Sequence, residues 1–341
     1  MMTFSNNKNS DIYFYFLEKA LSINSTTGNE MEMALFLKNF IERSFKPDKI
    51  DLQEVKKNRF NIIAVKGEPK FFMSTHIDTV PEYFPPYFIG EKIYGRGACD
   101  AKGQIATQLW ALDDLLSKGL THYGLLYVIG EEVDSIGAFA ALSHPFLSGE
   151  YLLSGEPTEN IFASSSMGIM ELIVEAEGIA SHSSQVPLDS AVHKLCHDVV
   201  NILTIESCDL LLNVGTISGG IASNVTASRA IANLCVRYNG DPKIVFQKIK
   251  TIAKSKCVCR GDYVLPSGFF IPKGFENQSG PVPFCSDATI FKERFKYVML
   301  FGPGSIKNAH QRNEYICRTE MVEGKDMIVA AIQSILNRRL L

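Results

Sequence analysis

The sequence contains no Cys-x-x-Cys pair, no strong charge of one sign, no long apolar run and no internal repeat. Each absence removes a class of protein. The eight cysteines (Cys99, Cys196, Cys208, Cys235, Cys257, Cys259, Cys285 and Cys317) are scattered. Cys257-Val258-Cys259 is the one tight spacing, and alternate residues of a strand face opposite ways. Neither a disulfide framework nor a thiolate zinc site is expected, and reduced, mostly buried thiols of a cytoplasmic protein are. A formal net charge of -3 over 341 residues offers no electrostatic footprint for nucleic acid or an anionic membrane. No apolar run approaches the ~20 residues that cross a bilayer. The opening residues lack a basic stretch leading into a long apolar one, so no signal peptide is read there.

What is present is an ordinary globular balance, 46% hydrophobic and 21% charged, in a chain long enough for two domains. Apolar strands alternate with helices, which predicts an α/β architecture. Helices are expected over 11–21, 31–44, 102–117 and 135–142, and strands over 61–65, 70–74, 124–129 and 151–154. After Ser166 the texture changes. Leu172, Val174 and Ala176 alternate with Ile173, Glu175 and Glu177, the pattern of a sheet with one wet face. Helix 190–203, strands 211–217 and 230–238, helix 242–255 and strand 257–265 complete a strand-helix-strand-strand-helix-strand order. Strand 297–301 and a closing helix 319–337 follow. The expectation is a catalytic domain in two stretches, 1–166 and 276–341, with an α+β domain, 167–275, inserted between them.

Five separated segments carry candidate chemistry. His76-Ile77-Asp78 follows the apolar strand Phe71-Phe72-Met73. Gly95-Arg96-Gly97-Ala98-Cys99-Asp100 precedes the helix at Lys102. Glu131-Glu132 follows Leu125 to Ile129, Gly155-Glu156-Pro157 follows Tyr151 to Ser154, and His310 lies in the loop after Tyr297 to Phe301. Ligand sites of open α/β sheets form at the carboxyl ends of strands, so these loops are expected to meet in one crevice. Imidazole and carboxylate together suit zinc, cobalt or manganese, and the lack of thiolate argues against a structural zinc site. Two ions sharing a carboxylate ~3.5–4 Å apart can polarise a carbonyl and activate a water. Such a site needs about five ligands and one further base, and these segments supply them. Taken singly, a loop histidine or a Glu-Glu pair is more often a solvated surface feature. Coincidence at five strand ends or Gly-rich loops is what lifts the set above that reading.

In the same order, His76-Ile77-Asp78-Thr79-Val80-Pro81, Tyr94-Gly95-Arg96-Gly97-Ala98-Cys99-Asp100-Ala101-Lys102-Gly103, Gly130-Glu131-Glu132, Ser154-Gly155-Glu156-Pro157-Thr158 and Phe301-Gly302-Pro303-Gly304 with His310 and Asn313-Glu314 resemble the motifs of the di-zinc peptidase and deacylase family. That family includes acetylornithine deacetylase, succinyl-diaminopimelate desuccinylase, aminoacylase and carboxypeptidases. The resemblance implies a mixed-sheet, zinc-exopeptidase-like catalytic domain and a ferredoxin-like lid or dimerisation domain. It implies two divalent ions, zinc before cobalt or manganese: His76, Asp100 and Glu156 on one, and Asp100, Glu132 and His310 on the other. Glu131 is then the general base, and Asp78 orients His76 through its other ring nitrogen. In the inserted domain, Gly178 to Ser184 with Pro187 resembles the lid segment whose histidine, here His182, reaches the substrate carbonyl, in dimeric members from the partner subunit. Asn224 and Arg237 match substrate-binding lid positions, and Gly304 is counted with them. The chain departs from the family in Asn224-Val225-Thr226-Ala227, which has no early proline, and in Phe284-Cys285-Ser286-Asp287, which replaces a Gly-rich, Thr-containing run.

The function this implies is removal of an acyl group from a small N-acyl amino acid, Nα-acetyl-L-ornithine foremost, in arginine or lysine biosynthesis, by a cytoplasmic homodimer joined through its lid domain. A dipeptidase or aminoacylase on the same scaffold is the alternative. A non-catalytic binding protein would be expected to have lost a ligand or the base, and none is missing.

Overall fold

The computed structural model describes residues 8–336 apart from Glu206, Cys208 and Asp262. By its internal contacts the chain divides into two units: Met1–Ser164 with Phe269–Gly280 and Ser286–Leu341, and Ser165–Gly268 with Pro281–Cys285.

The first unit is built on a six-stranded sheet of β1 (Lys49–Lys56), β2 (Arg59–Lys66), β3 (Phe71–His76), β6 (Tyr123–Val128), β7 (Tyr151–Ser154) and β15 (Tyr297–Leu300), in the order β1-β2-β6-β3-β7-β15. β6, β3, β7 and β15 are mutually parallel, and β2 and β1 add antiparallel at one edge. β3 and β6 are buried at every position, as strands covered on both faces must be. Alternation assigns the two faces. Phe71, Met73, Leu125, Tyr127 and Leu153 join a core with α1 (Lys8–Leu21), α2 (Met31–Phe45), α3 (Lys102–Ser117) and α8 (Arg318–Leu336). Phe72, on the other face, meets Phe295 at a ring distance of 5.5 Å, just after α7 (Ala288–Phe291). α4 (Ile136–Ala141) packs near α7. On α2 the buried residues Met33, Ala34, Leu37, Ile41 and Phe45 form the expected helical stripe.

The second unit is an antiparallel sheet in the order β10-β11-β9-β12, from β9 (Gly168–Glu177), β10 (Leu210–Gly219), β11 (Arg229–Tyr238) and β12 (Lys256–Cys259). α5 (Ala191–Leu203) and α6 (Pro242–Ile252) pack on one face through Leu195, Ile202 and Ile249. Met170, Leu172, Val174 and Ala176 point into that core. On the other face Glu175 pairs with Arg229 at 2.5 Å and Lys256 at 3.6 Å. Asp241 caps α6 by accepting from the Lys243 amide at 2.8 Å, with Pro242 at the first helical position.

Several expectations change. The chain returns to the first unit at Phe269 rather than 276, because Phe270 packs on Tyr151 and Tyr297. The strand expected over 257–265 stops at Cys259. Gly261, at a φ of +70°, turns the chain out, and pairing resumes at Val264 opposite Ile169. β1 was not predicted, since none of its residues is fully buried. Nor were two small sheets: β4 (Tyr87–Ile89), β5 (Lys92–Tyr94) and β16 (Tyr315–Cys317) in the order β16-β5-β4, and β8 (Phe162–Ser166), β13 (Ser267–Gly268) and β14 (Ser279–Val282) in the order β13-β8-β14. Asn337 and Cys208 lie outside the described residues.

Candidate metal centre

Because β6, β3, β7 and β15 run parallel, their carboxyl ends lie on one edge of the sheet. His76 ends β3, Glu131 and Glu132 follow β6, Glu156 follows β7, and His310 sits in the loop after β15. Asp100 arrives from the loop before α3. Glutamines on α3 pin these loops. Gln104 Nε2 donates to the carbonyls of Cys99 at 3.0 Å and Pro303 at 2.7 Å, and Gln108 Nε2 donates to that of Ser74 at 2.8 Å.

Two groups of ligand atoms form there. One oxygen or nitrogen each from His76, Asp100 and Glu156 lie within 4.8 Å of one another, and so do those from Asp100, Glu132 and His310. Asp100 belongs to both. Its Oδ1 is 2.9 Å from His76 Nε2, and its Oδ2 is 3.5 Å from His310 Nε2. His310 Nε2 also lies 3.0 Å from Glu132 Oε2. His76 Nδ1 meets the Asp78 backbone carbonyl at 2.9 Å and the Asp78 carboxylate at 3.5 Å. Asp78 therefore orients the ring chiefly through its main chain. Its side chain accepts from the Thr27 hydroxyl at 2.8 Å and from the amides of Glu131 at 3.2 Å and Glu132 at 3.3 Å. Asp78 is thus the strut under the Glu131-Glu132 turn.

The electrostatics show a site rich in negative charge. Burial and the Glu156 carboxylate push Glu131 well up. Burial and Asp100 raise Glu156 and Glu132. Burial opposes charge on His76, but Asp100 and Asp78 outweigh it and raise its pKa. His310, hydrogen-bonded to Asp100 and Glu132, is raised to about 10. Burial alone would raise Asp100, yet His310 and His76 hold it below the usual carboxylate range. A crowd of buried carboxylates is costly without cations. The donors are imidazole and carboxylate, grouped in threes around a common carboxylate. They fit a pair of divalent ions.

Other predicted residues fall in the second unit. His182 is exposed, with Nδ1 2.8 Å from Ser184 Oγ, and pairs across an isolated bridge with Val225, the neighbour of Asn224. The two lid segments are therefore adjacent, and the Ser183 amide donates to the Asn224 carbonyl at 3.0 Å. Arg237, partly buried on β11, has Nη1 4.0 Å from Cys285 Sγ. In the first unit Gly304 is buried at a φ of +82°, and a Cβ there would lie 2.6 Å from Cys99 Sγ. Packing beside Asp100 already accounts for glycine at that position.

Thr27 carries no local mark in the sequence, its partner Asp78 being 51 residues away. Lys102, at the start of α3, is fully buried and donates to the carbonyls of Ala20 at 3.0 Å and Ile23 at 2.7 Å; burial lowers it to about 7. Asp287 is a further buried acid not singled out by any motif. Burial pushes that carboxyl up to about 7, against a side-chain hydrogen bond with Ser135 that acts to lower it. The signal available was an acidic residue at the start of a short apolar helix.

Two ligand triads sharing a carboxylate, at the carboxyl edge of an α/β sheet, define a hydrolase of the dinuclear metal type. The chain belongs to peptidase family M20/M25/M40, whose profile matches residues 72–254. A peptidase M20 domain-containing protein of Schizosaccharomyces pombe is 33% identical over 331 residues, covering 90% of this chain and 81% of the relative. A probable carboxypeptidase of Aspergillus niger is 28% identical, covering 94% and 90%. Among solved structures, a tripeptidase from Staphylococcus aureus superposes with a TM-score of 0.81 at 17% identity, covering 97% of this chain and 99% of its own. The chain is accordingly a metal-dependent hydrolase of peptide or amide bonds.

Proposed function

We propose that this protein is a metallo-exopeptidase that removes one residue from a short peptide, with His76, Asp100, Glu132, Glu156 and His310 as the ligands of two zinc-class ions. The carrying observation is the pair of triads meeting at Asp100, with Glu131 as a neighbouring carboxylate outside both. When bound, the ions supply Lewis acidity toward the scissile carbonyl and the attacking water. Glu131 takes a proton from that water as its oxygen attacks the carbonyl carbon. It then delivers the proton to the amide nitrogen as the C–N bond breaks, leaving a carboxylate and an amine. Asp78 keeps Glu131 in place through its amide.

The resemblance of the lid motifs adds three roles. His182 donates to the carbonyl oxygen, Asn224 binds substrate, as does Gly304 of the last motif, and Arg237 pairs with the substrate's terminal carboxylate, for which a guanidinium is well shaped. The similarity to a peptidase-domain protein and a probable carboxypeptidase favours a peptide over Nα-acetyl-L-ornithine. The deacetylase reading, and with it a place in arginine or lysine biosynthesis, rests on motifs that peptidases of this family share. Free thiols and the absence of any disulfide among the described residues favour a reducing compartment such as the cytoplasm.

The test is hydrolysis of di- and tripeptides, C-terminally blocked peptides and N-acyl amino acids, Nα-acetyl-L-ornithine among them, by the zinc- and cobalt-loaded protein. Free-carboxylate peptides are expected to be the best substrates. Glu131→Gln is expected to lower kcat by ~10²–10⁴ with metal content unchanged. Preferential cleavage of an N-acyl amino acid would overturn the peptidase assignment.

A further inference from the structure

Glu314 is nearly fully buried, and so is Arg96. Every polar contact of the Glu314 carboxylate is with a donor. Oε1 accepts from two consecutive amides, Cys99 at 3.0 Å and Asp100 at 3.1 Å. Oε2 accepts from Arg96 Nη1 at 2.7 Å. The Glu314 backbone carbonyl takes a further bond, from the Gly95 amide at 3.2 Å. One residue therefore grips the loop from Gly95 to Asp100 at both ends and in between. The next residue, Tyr315, continues the link by pairing with Tyr94 in the β16–β5 ladder.

Glu314 also ends the loop that carries His310. Asp100 presents one oxygen toward His76 and the other toward His310, so the placing of its backbone sets where both oxygens lie. An anion seated on successive amides fixes the peptide planes that carry them. The guanidinium holds that anion in turn, which a buried carboxylate requires.

We propose that Glu314, held by Arg96, is a positioning residue that sets the shared carboxylate Asp100 between the two triads by locking the Cys99 and Asp100 amides. The inference rests on reading the triads as a dinuclear metal centre. Through Asp100, Glu314 couples the two triads, so its loss weakens the pairing of the ions rather than removing a ligand.

The test uses the full chain with Glu314→Gln, Glu314→Ala and Arg96→Met. Hydrogen exchange of the 95–101 segment in the metal-free protein reads the lock directly, and zinc titration reads its consequence. Glu314→Gln keeps the shape and one acceptor, so it serves if Glu314→Ala fails to fold. The expected result is faster exchange confined to that segment. Wild-type protein is expected to bind two ions, and the variants to bind one of them at least tenfold more weakly, with kcat falling more than KM rises. Arg96→Met combined with Glu314→Gln is expected to add little to either alone. Unchanged exchange, or two ions bound at wild-type affinity despite a lowered Tm, would show a merely structural contact and overturn the proposal. Wild-type protein that binds no ions would instead overturn the reading of the site itself.

Discussion

Asp287 shows how much of the site is decided one side chain at a time. It is buried, and burial raises its carboxyl to about 7 despite a side-chain hydrogen bond with Ser135 that acts to lower it. An acid raised in the folded state costs stability above its unfolded pKa, and the cost grows until pH passes the folded value. In the metal-free protein, Asp287→Asn should therefore stabilise more at pH 8 than at pH 5, by on the order of 2 kcal/mol. Chemical denaturation at the two pH values checks this. An equal effect at both would mean that the carboxyl is solvated or paired. His76, Asp100, Glu132 and Glu156 were legible in the sequence because each stands at or just past the end of an apolar strand or before a helix, and His310 because it follows the Gly302–Gly304 loop. Thr27, Arg96 and Glu314 act through partners that only the fold brings near, so their chemistry had no local mark.

Elements with a continuous buried run, stripe or alternation were the legible ones. The apolar runs at β3, β6 and β7 and the stripe of α2 are uninterrupted, and α3 covers the predicted span of 102–117. β1 has no fully buried residue, and β4, β5 and β16 are three residues each and partly exposed, so their sequences carry little periodicity. The acidic alternation on β9 was legible because one face of its sheet is charged. β10 is an edge of that sheet, with Leu211 and Ile217 exposed. An open edge with apolar residues is a template for another strand. The homodimer that the family resemblance implies is expected to use this edge. Light scattering at micromolar concentration should give twice the chain mass, and Ile217→Lys should shift it to monomer with secondary structure intact. A monomeric wild type would refute this.

At the scale of the whole molecule, the first unit is assembled from three stretches separated by the inserted unit. His76 and His310 lie on opposite sides of that insertion in sequence, yet both reach Asp100. Parallel strand order makes this possible: β15 comes late in the chain and docks beside β7, delivering the His310 loop to the edge where β3 and β6 end. What motif order could not give was the identity of the substrate, which depends on contacts outside the shared ligands. The measurement that tests the account most directly is the metal content of protein equilibrated with zinc and freed of loosely bound ions. Two ions per chain are predicted, with both weakened in Asp100→Ala and one in His310→Ala. A single ion unaffected by Asp100→Ala, or none, would contradict the shared-carboxylate centre.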